Sequence, residues 1–186
     1  MKKAFALFAL LALFGFAPLA HAQDPTPKVE LYTGYDYLCV NINANVPGFS
    51  TSASFNGNGG GGNLEYNVNH WFGLVGDLAG YYFAAEATGG AFSYLFGPRI
   101  NFRHGNVTPF AHVLLGGIAT TSGIGQFGPQ NQFAMAAGGG LDIKVSRHFA
   151  IRPVQAEYFL SKIPDGLNNR QNNFRFSAGI VFRFGG

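Results

Sequence analysis

Charged side chains are scarce in this sequence. Asp, Glu, Lys and Arg make up 11% of its 186 residues, whereas an average soluble domain carries about 25%. A chain with so few charges has too little polar material to cover the surface of a water-soluble fold. The formal net charge of +3 follows from this scarcity rather than from a basic patch. The composition disfavours an ordinary soluble domain, and we expect no nucleic-acid partner.

Long apolar runs are also missing, except at the start of the chain. There, two lysines precede an apolar segment over residues 4–20, and the small residues of "AHA" (20–22) follow. This pattern predicts a cleaved signal peptide over residues 1–22, in preference to a membrane anchor. Residues 23–186, which we expect to form a single domain, contain no run of the ~18 apolar residues that a membrane helix needs.

Cysteine occurs once, at position 39, so the chain cannot form an internal disulfide. We expect Cys39 to be a small apolar residue at a strand end; a reactive thiol or an intermolecular bridge is the alternative. Metal-ligand spacings are missing as well, and "GNGGGGN" (57–63) lacks the Lys-Ser/Thr of a phosphate-binding loop. We therefore expect no cofactor and no metal.

Aromatic residues and glycine are abundant, with 20 Phe, 8 Tyr and 27 Gly. The terminal stretch "NNFRFSAGIVFRFGG" shows how they are arranged, because its bulky apolar residues occupy every second position. Strict alternation of this kind predicts a β-strand with two different faces.

Eight segments of this type follow one another, and the connections between them alternate in length. Long connections follow segments 1, 3, 5 and 7, beginning with residues 41–60, and short ones follow segments 2, 4 and 6. This pattern predicts an all-β fold, an eight-stranded antiparallel up-and-down transmembrane barrel with short periplasmic turns and longer extracellular loops. The predicted strands are Val29–Val40, Gly62–His70, Phe72–Phe83, Phe92–Phe102, Thr108–Ala119, Gln132–Val145, Phe149–Leu160 and a last strand from Asn172.

The two faces of these strands predict which side meets lipid. One face is bulky and apolar, and the other combines glycine, alanine and amides with isolated charges. A water-facing surface would be rich in Lys, Glu and Thr instead, so we expect lipid outside and the second face in a narrow interior. Buried charges there must be compensated. The predicted interior charge network comprises Glu30, Asp36, Glu65, Asp77, Arg99, Arg103, Asp142, Lys144, Arg152, Glu157, Arg175 and Arg183, with Glu30 or Asp36 as partners of the last two arginines.

The seventh segment departs from simple alternation. Arg152 lies at an even position and Glu157 at an odd one, and this even or odd position, the parity, decides the face of a regular strand. Such a strand would therefore turn one of the two residues toward lipid. A β-bulge at Pro153 and Val154 would return both to the interior. The alternative places Glu157 at the membrane interface, where a charge costs less.

Four motifs and the terminal strand resemble those of the small outer-membrane β-barrel family that includes OmpA- and OmpX-type barrels. The motifs are "YLFGPRINF", "HVLLGGIA", "AMAAGGGLDIKV" and "IRPVQAEYF". The resemblance implies a bacterial outer-membrane location, contact with membrane lipid and lipopolysaccharide, and insertion by the barrel-assembly machinery. Family members usually end on an aromatic residue, whereas Phe184 is followed here by two glycines.

Histidines decide between an enzyme and a structural barrel. Lipid A-modifying barrels need a His with a Ser and a carboxylate near the outer rim. His70, His104 and His148 lie at the short turns, and "HVL" at His112 lacks a His-x-Ser spacing. We therefore expect a non-enzymatic protein with a structural or surface-interaction role carried by its extracellular loops. The alternatives are a small-conductance channel, a lipid A-modifying enzyme and a secreted soluble barrel, and the loop composition identifies no ligand.

Overall fold

The computed structural model describes residues 25–46, 49–83, 89–121, 130–163 and 170–186, with the side chains of 41–55 excepted. These residues form eight strands, and they contain no helix that is long and apolar enough to cross a membrane. The strands are β1 (Val29–Val46), β2 (Phe49–Asn67), β3 (Phe72–Phe83), β4 (Gly89–Asn101), β5 (Val107–Thr120), β6 (Gln130–Lys144), β7 (Phe149–Ser161) and β8 (Gln171–Phe184).

The strands form one closed antiparallel barrel. Each strand pairs with the next, and β1 pairs with β8 from Val29 opposite Phe184 to Cys39 opposite Phe174. The predicted eight-stranded antiparallel barrel is therefore confirmed. The predicted signal peptide (1–22) lies outside the described residues.

The first long connection was predicted wrongly. Residues 41–60 were expected to be a loop, but β1 continues to Val46, and β2 begins at Phe49 directly opposite it. The glycines at 57–62 lie inside β2, where pairing with β1 and β3 overrides the low strand propensity of glycine. Cys39 consequently lies within β1 rather than at a strand end. Its side chain is half-buried and its thiol is free.

The other three predicted loops fall mostly on residues 84–88, 122–129 and 164–169, which lie outside the described part of the chain. The three short connections are present as predicted. They span positions 68–71, 102–106 and 145–148, and they share one end of the barrel with residues 25–28 and 184–186. We call this end the turn end and the opposite one the loop end.

Side-chain burial alternates along the strands in the predicted sense. In β4, burial switches at every residue from Ala91 to Asn101. In β8, Phe174, Phe176 and Ile180 are exposed on the outer wall. The bulky apolar residues therefore cover the outside of the barrel, as lipid contact requires.

The bulge in β7 is confirmed. The pairing of β7 with β8 shifts between Arg152 and Gln155, and both Pro153 and Val154 are exposed on the outer wall. Arg152 and Glu157 are consequently both buried inside.

The interior has two layers, of which the sequence indicated one. Toward the turn end it is polar and charged. Toward the loop end an apolar cluster occupies the interior together with a few buried polar residues such as Thr120 and Ser161. The prediction of a small-residue interior missed this cluster because inward leucines and aromatics are few on any one strand. The apolar layer comprises Leu38, Val75, Ala79, Tyr81, Phe83, Ala91, Leu95, Leu114, Ile118, Ala134, Ala136 and Phe159.

Candidate functional site

The candidate site is the charged layer of the barrel interior. All six acidic residues in the described part of the chain lie there, each with at most 4% of its surface exposed. Four arginines are buried with them, while Arg103 and Lys144 are half-buried at the turn end. The acids are Glu30, Asp36, Glu65, Asp77, Asp142 and Glu157, and the buried arginines are Arg99, Arg152, Arg175 and Arg183.

Glu30 forms the centre of the cluster nearest the turn end. Its Oε1 accepts a hydrogen bond from Arg103 Nη1 at 3.0 Å and another from Arg183 Nε at 3.1 Å. Arg103 also donates to Asn67 Oδ1 at 2.9 Å. One carboxylate thereby joins β1, β8 and the turn between β4 and β5.

A second cluster lies around Arg99 in the middle of the charged layer. Its Nη1 lies 3.0 Å from Glu65 Oε2, and its Nη2 lies 2.7 Å from Asp142 Oδ2. Asp142 also accepts from Arg152 Nε at 2.7 Å. The ring of Phe110 contacts both guanidinium groups, with its centre 3.5 Å from Arg99 Cζ and 4.5 Å from Arg152 Cζ, in cation–π geometry.

The third cluster surrounds Glu157. Arg175 donates to it twice, from Nε at 2.5 Å and from Nη2 at 2.9 Å, and His112 Nε2 lies 2.6 Å away. Arg175 Nη1 also donates to Asp77 at 2.8 Å. Gln155 joins this cluster to the second, because it accepts from Arg152 at 2.8 Å and donates to Glu157 at 3.0 Å.

Asp36 does not have the partner that was expected for it. Its carboxylate accepts a hydrogen bond from Ser177, whereas Arg175 binds Glu157 and Asp77 instead. The pairing register explains this difference, because Asp36 lies directly opposite Ser177. Arg183, by contrast, contacts Glu30, one of the two partners expected for it.

Inward-facing glycines provide the space for these carboxylates. A Cβ atom added at Gly73 would lie 2.4 Å from Glu65 Oε1, and one added at Gly138 would lie 2.8 Å from Glu157 Cγ. At these two positions a buried carboxylate side chain occupies volume that only a glycine leaves open.

Several interior residues were missing from the predicted network. Phe110, Gln155 and Asn101 bridge or cover its charges, and Asn101 donates to Glu65 at 2.6 Å. All three are inward-facing by the same alternation that identified the charges. If every inward-facing position of the predicted strands had been included, and not only the charged ones, the predicted network would have contained these three residues.

The charges of this interior are largely paired with one another. His112 is buried and bonded to Glu157, and its Nδ1 has no partner among the described residues. The same residues include no group of three or more His, Cys, Asp or Glu that could hold a metal ion. Such an interior is suited to filling and bracing the barrel.

Comparison with known proteins gives a family and a fold. The model of the outer membrane protein beta-barrel domain family matches residues 6–184. A search of curated proteins found no match. Three solved structures, each less than 25% identical to this chain, show a likeness of fold alone. This chain covers nearly the full length of each of them.

The first is Neisserial surface protein A, with 16% identity and a TM-score of 0.61 over 83% of this chain and 97% of that one. The second is Ail of Yersinia pestis, with 20% identity and a TM-score of 0.55 over 86% of this chain and 100% of that one. The third is the N-terminal barrel of Pseudomonas aeruginosa OprF, with 15% identity and a TM-score of 0.54 over 86% and 100%.

Proposed function

Because the chain belongs to the outer membrane protein beta-barrel domain family, a family of the bacterial outer membrane, we propose that it is a non-enzymatic scaffold with a side-chain-filled interior. In this proposal its extracellular loops make the functional contacts with the surroundings of the cell. The observation that carries it is the hydrogen-bonded network that runs from Glu30 to Asp77 through ion pairs and the amides of Asn67, Asn101 and Gln155, next to an apolar cluster.

This interior is poorly suited to conduction. A water-filled path would have to separate ion pairs such as Glu157–Arg175, whose side chains are almost fully buried. Breaking a buried pair costs about 3–5 kcal/mol. Eight strands also enclose a lumen just wide enough for side chains to fill. We therefore favour a closed barrel over the small-conductance channel.

The loop end supports a surface role. Among the described residues, β1 pairs with β8 as far as Cys39 and with β2 as far as Val46, and β2 pairs with β3 from Gly57 onward. The remainder of the β1–β2 hairpin therefore extends beyond the barrel wall. Since the short turns of outer-membrane barrels are periplasmic, this hairpin projects toward the outside of the cell.

The experiment measures conductance and loop function separately. Full-length protein in a planar lipid bilayer should give no large, stable, ion-selective steps, and such steps would contradict the filled interior. Cells that express a variant with residues 42–53 replaced by a two-residue Asn-Gly turn, which keeps Asn41 opposite Ser54, should adhere less to an epithelial cell layer than cells with the unchanged protein. Equal adherence would argue against a surface role of the hairpin.

Expression should leave the lipid A profile of the cells unchanged. A profile with an added or missing acyl chain would instead favour the lipid A-modifying enzyme. The absence of a serine bonded to His112 among the described residues supports the non-enzymatic reading.

A further inference from the structure

Two short segments flank the barrel wall at the turn end, one before β1 and one after β8. The first comprises residues 25–28, and the second comprises Gly185 and Gly186. They leave the wall side by side, because Lys28 N donates to Phe184 O at 2.8 Å. We call the two segments together the latch.

The two segments of the latch contact each other. Gly185 has a φ of 73°, in the left-handed region that glycine adopts without strain, and it turns the chain out of the β8 direction. Gly186 consequently lies against the first segment. A Cβ atom added to Gly186 would lie 3.0 Å from Pro25 O and 3.4 Å from Pro27 Cα, so the close approach depends on a residue without a side chain.

The first segment is held at the β2–β3 side of the mouth. Asn67, at the end of β2, donates from Nδ2 to Pro27 O at 2.9 Å. Thr26 Oγ1 lies 3.4 Å from His70 Nδ1 in the β2–β3 turn. Asn67 Oδ1 also accepts a hydrogen bond from Arg103 at 2.9 Å. The latch is therefore bonded directly to the charged layer of the interior.

The second segment is held at the β6–β7 turn, where Arg147 Nη2 donates to Gly186 O at 2.6 Å. This turn and the β2–β3 turn are separated by four strands in either direction around the closed barrel. The latch therefore connects turns on opposite sides of the mouth. Pro25 and Pro27 restrict the backbone of the first segment, which lowers the entropy lost when it is held in place.

Side chains beside the latch are buried although they belong to the rim of the barrel. Glu30 is the second residue of β1, Asn67 is the last of β2, and Arg183 is the last but one of β8. Their exposed fractions are nevertheless 3%, 2% and 8%. Inward-facing residues at an open mouth would meet periplasmic water, so something at the rim covers these three, and the latch is bonded to one of them.

We propose that the latch is a movable cover of the periplasmic mouth, which controls the access of water and small solutes to the charged layer. It is held to the two turns by a few side-chain contacts, whereas main-chain ladders between strands hold the barrel wall. Local opening costs less than global unfolding where few bonds are broken. The latch can therefore open while the wall stays intact, independently of what the extracellular loops contact.

Thiol labelling of a buried position beside the latch tests the proposal. Val181 faces inward on β8, two residues from Arg183, and is 1% exposed. Ser93 on β4 is 0% exposed, lies toward the loop end and serves as the control position. Val181→Cys and Ser93→Cys are each made in protein that carries Cys39→Ser. The reagent is a charged, water-soluble methanethiosulfonate, applied to protein in detergent micelles, where both ends of the barrel are accessible.

The double variant Thr26→Val/Arg147→Ala removes one side-chain contact from each side of the mouth. It should raise the labelling rate of Val181→Cys about tenfold, because the open population grows with the loss of two hydrogen bonds. Labelling of Ser93→Cys should stay the same. His148→Ala is the matched control, since His148 is the exposed neighbour of Arg147 in the same turn, and it should change neither rate. A boiling-dependent gel shift verifies that each variant is folded.

Equal labelling of Val181→Cys with and without the two latch substitutions would overturn the proposal. An equal acceleration at Ser93→Cys would also overturn it, because the substitutions would then loosen the whole barrel rather than open one mouth. Acceleration at Val181→Cys alone supports the latch.

Hydrogen exchange provides a second test that needs no introduced cysteine. The main-chain N–H of Asn67 donates to Lys28 O at 2.9 Å, and that of Asn101 donates to Trp71 O at 2.8 Å at the corner between β3 and β4. In the double latch variant the Asn67 amide should exchange about tenfold faster, and the Asn101 amide should exchange as in the unchanged protein. An unaltered Asn67 rate, or the same increase at both amides, would contradict a latch that opens on its own.

Discussion

Glu157 on β7 and Arg175 on β8 lie directly opposite each other in the strand register, and two hydrogen bonds of 2.5 Å and 2.9 Å join their side chains. Glu30 and Arg183 are opposite each other in the same way across β1 and β8. Register therefore selects which of several inward-facing charges become partners. It fixes the ion pairs as the barrel wall forms.

Substitution of Arg175 by Met should lower the free energy of unfolding by about 3–5 kcal/mol, because Glu157 and Asp77 are left buried without their cation. Urea unfolding in lipid vesicles, followed by Trp71 fluorescence, measures the change. The double variant Arg175→Met/Glu157→Met should recover part of the loss. A single-variant loss below ~1 kcal/mol would show that water or another group compensates these carboxylates.

Gly73→Ala should destabilise the barrel by about 1–3 kcal/mol, the usual cost of forcing extra volume into a packed interior. The added methyl group would meet Glu65 Oε1 at 2.4 Å and disturb its pairing with Arg99. Gly76→Ala on the same strand is the control, since nothing lies within 4 Å of its added Cβ. Equal unfolding midpoints in urea for the two variants would contradict the close packing.

Deletion of Val154 should be tolerated, because it removes the extra residue of the bulge and leaves Arg152 and Gln155 on the inner face of a regular strand. Deletion of Phe176 from the neighbouring β8 should prevent folding, since it inverts one half of a regular strand and turns Arg175 or Arg183 toward lipid. A boiling-dependent gel shift reports folding in each case. If both deletions abolish the shift, the bulge has another role.

A charge on the outer wall should cost most at mid-membrane depth. Leu78→Arg, near the middle of β3, should lower the free energy of unfolding by about 2–4 kcal/mol, and Phe102→Arg at the turn end by about 0–1 kcal/mol. Urea titration in vesicles measures both, with Leu78→Phe as the neutral control. Similar losses for the two arginine variants would mean that the barrel is not oriented across the bilayer in this way.

The fold was predictable from sequence because lipid contact imposes a strict period of two. The alternation in β8 and β4 and the parity conflict in β7 are local, so single segments sufficed to locate strands, faces and the bulge. Cys39 and residues 41–60 were interpreted wrongly for the opposite reason. Glycine and asparagine are typical of loops, and only pairing with β1 and β3 keeps residues 57–60 extended.

The sequence predicted which charged residues face the interior, but not which of them form ion pairs with one another. Parity identified the inward charges, yet the choice of Ser177 rather than Arg175 by Asp36 depends on register between β1 and β8. The apolar layer above the charges arises from single inward residues on several strands, such as Leu95 and Leu114. Such a layer becomes visible only once the barrel is closed.

Closure also has a kinetic consequence. The pairing of β1 with β8 joins the two most distant parts of the described chain, with Val29 opposite Phe184. Until β8 arrives, seven paired strands would present two bare edges to hydrocarbon, where unsatisfied main-chain groups are not tolerated. Insertion must therefore be completed in one concerted event or under the cover of a partner that occupies those edges, and the last strand to be synthesised controls when the barrel enters the membrane.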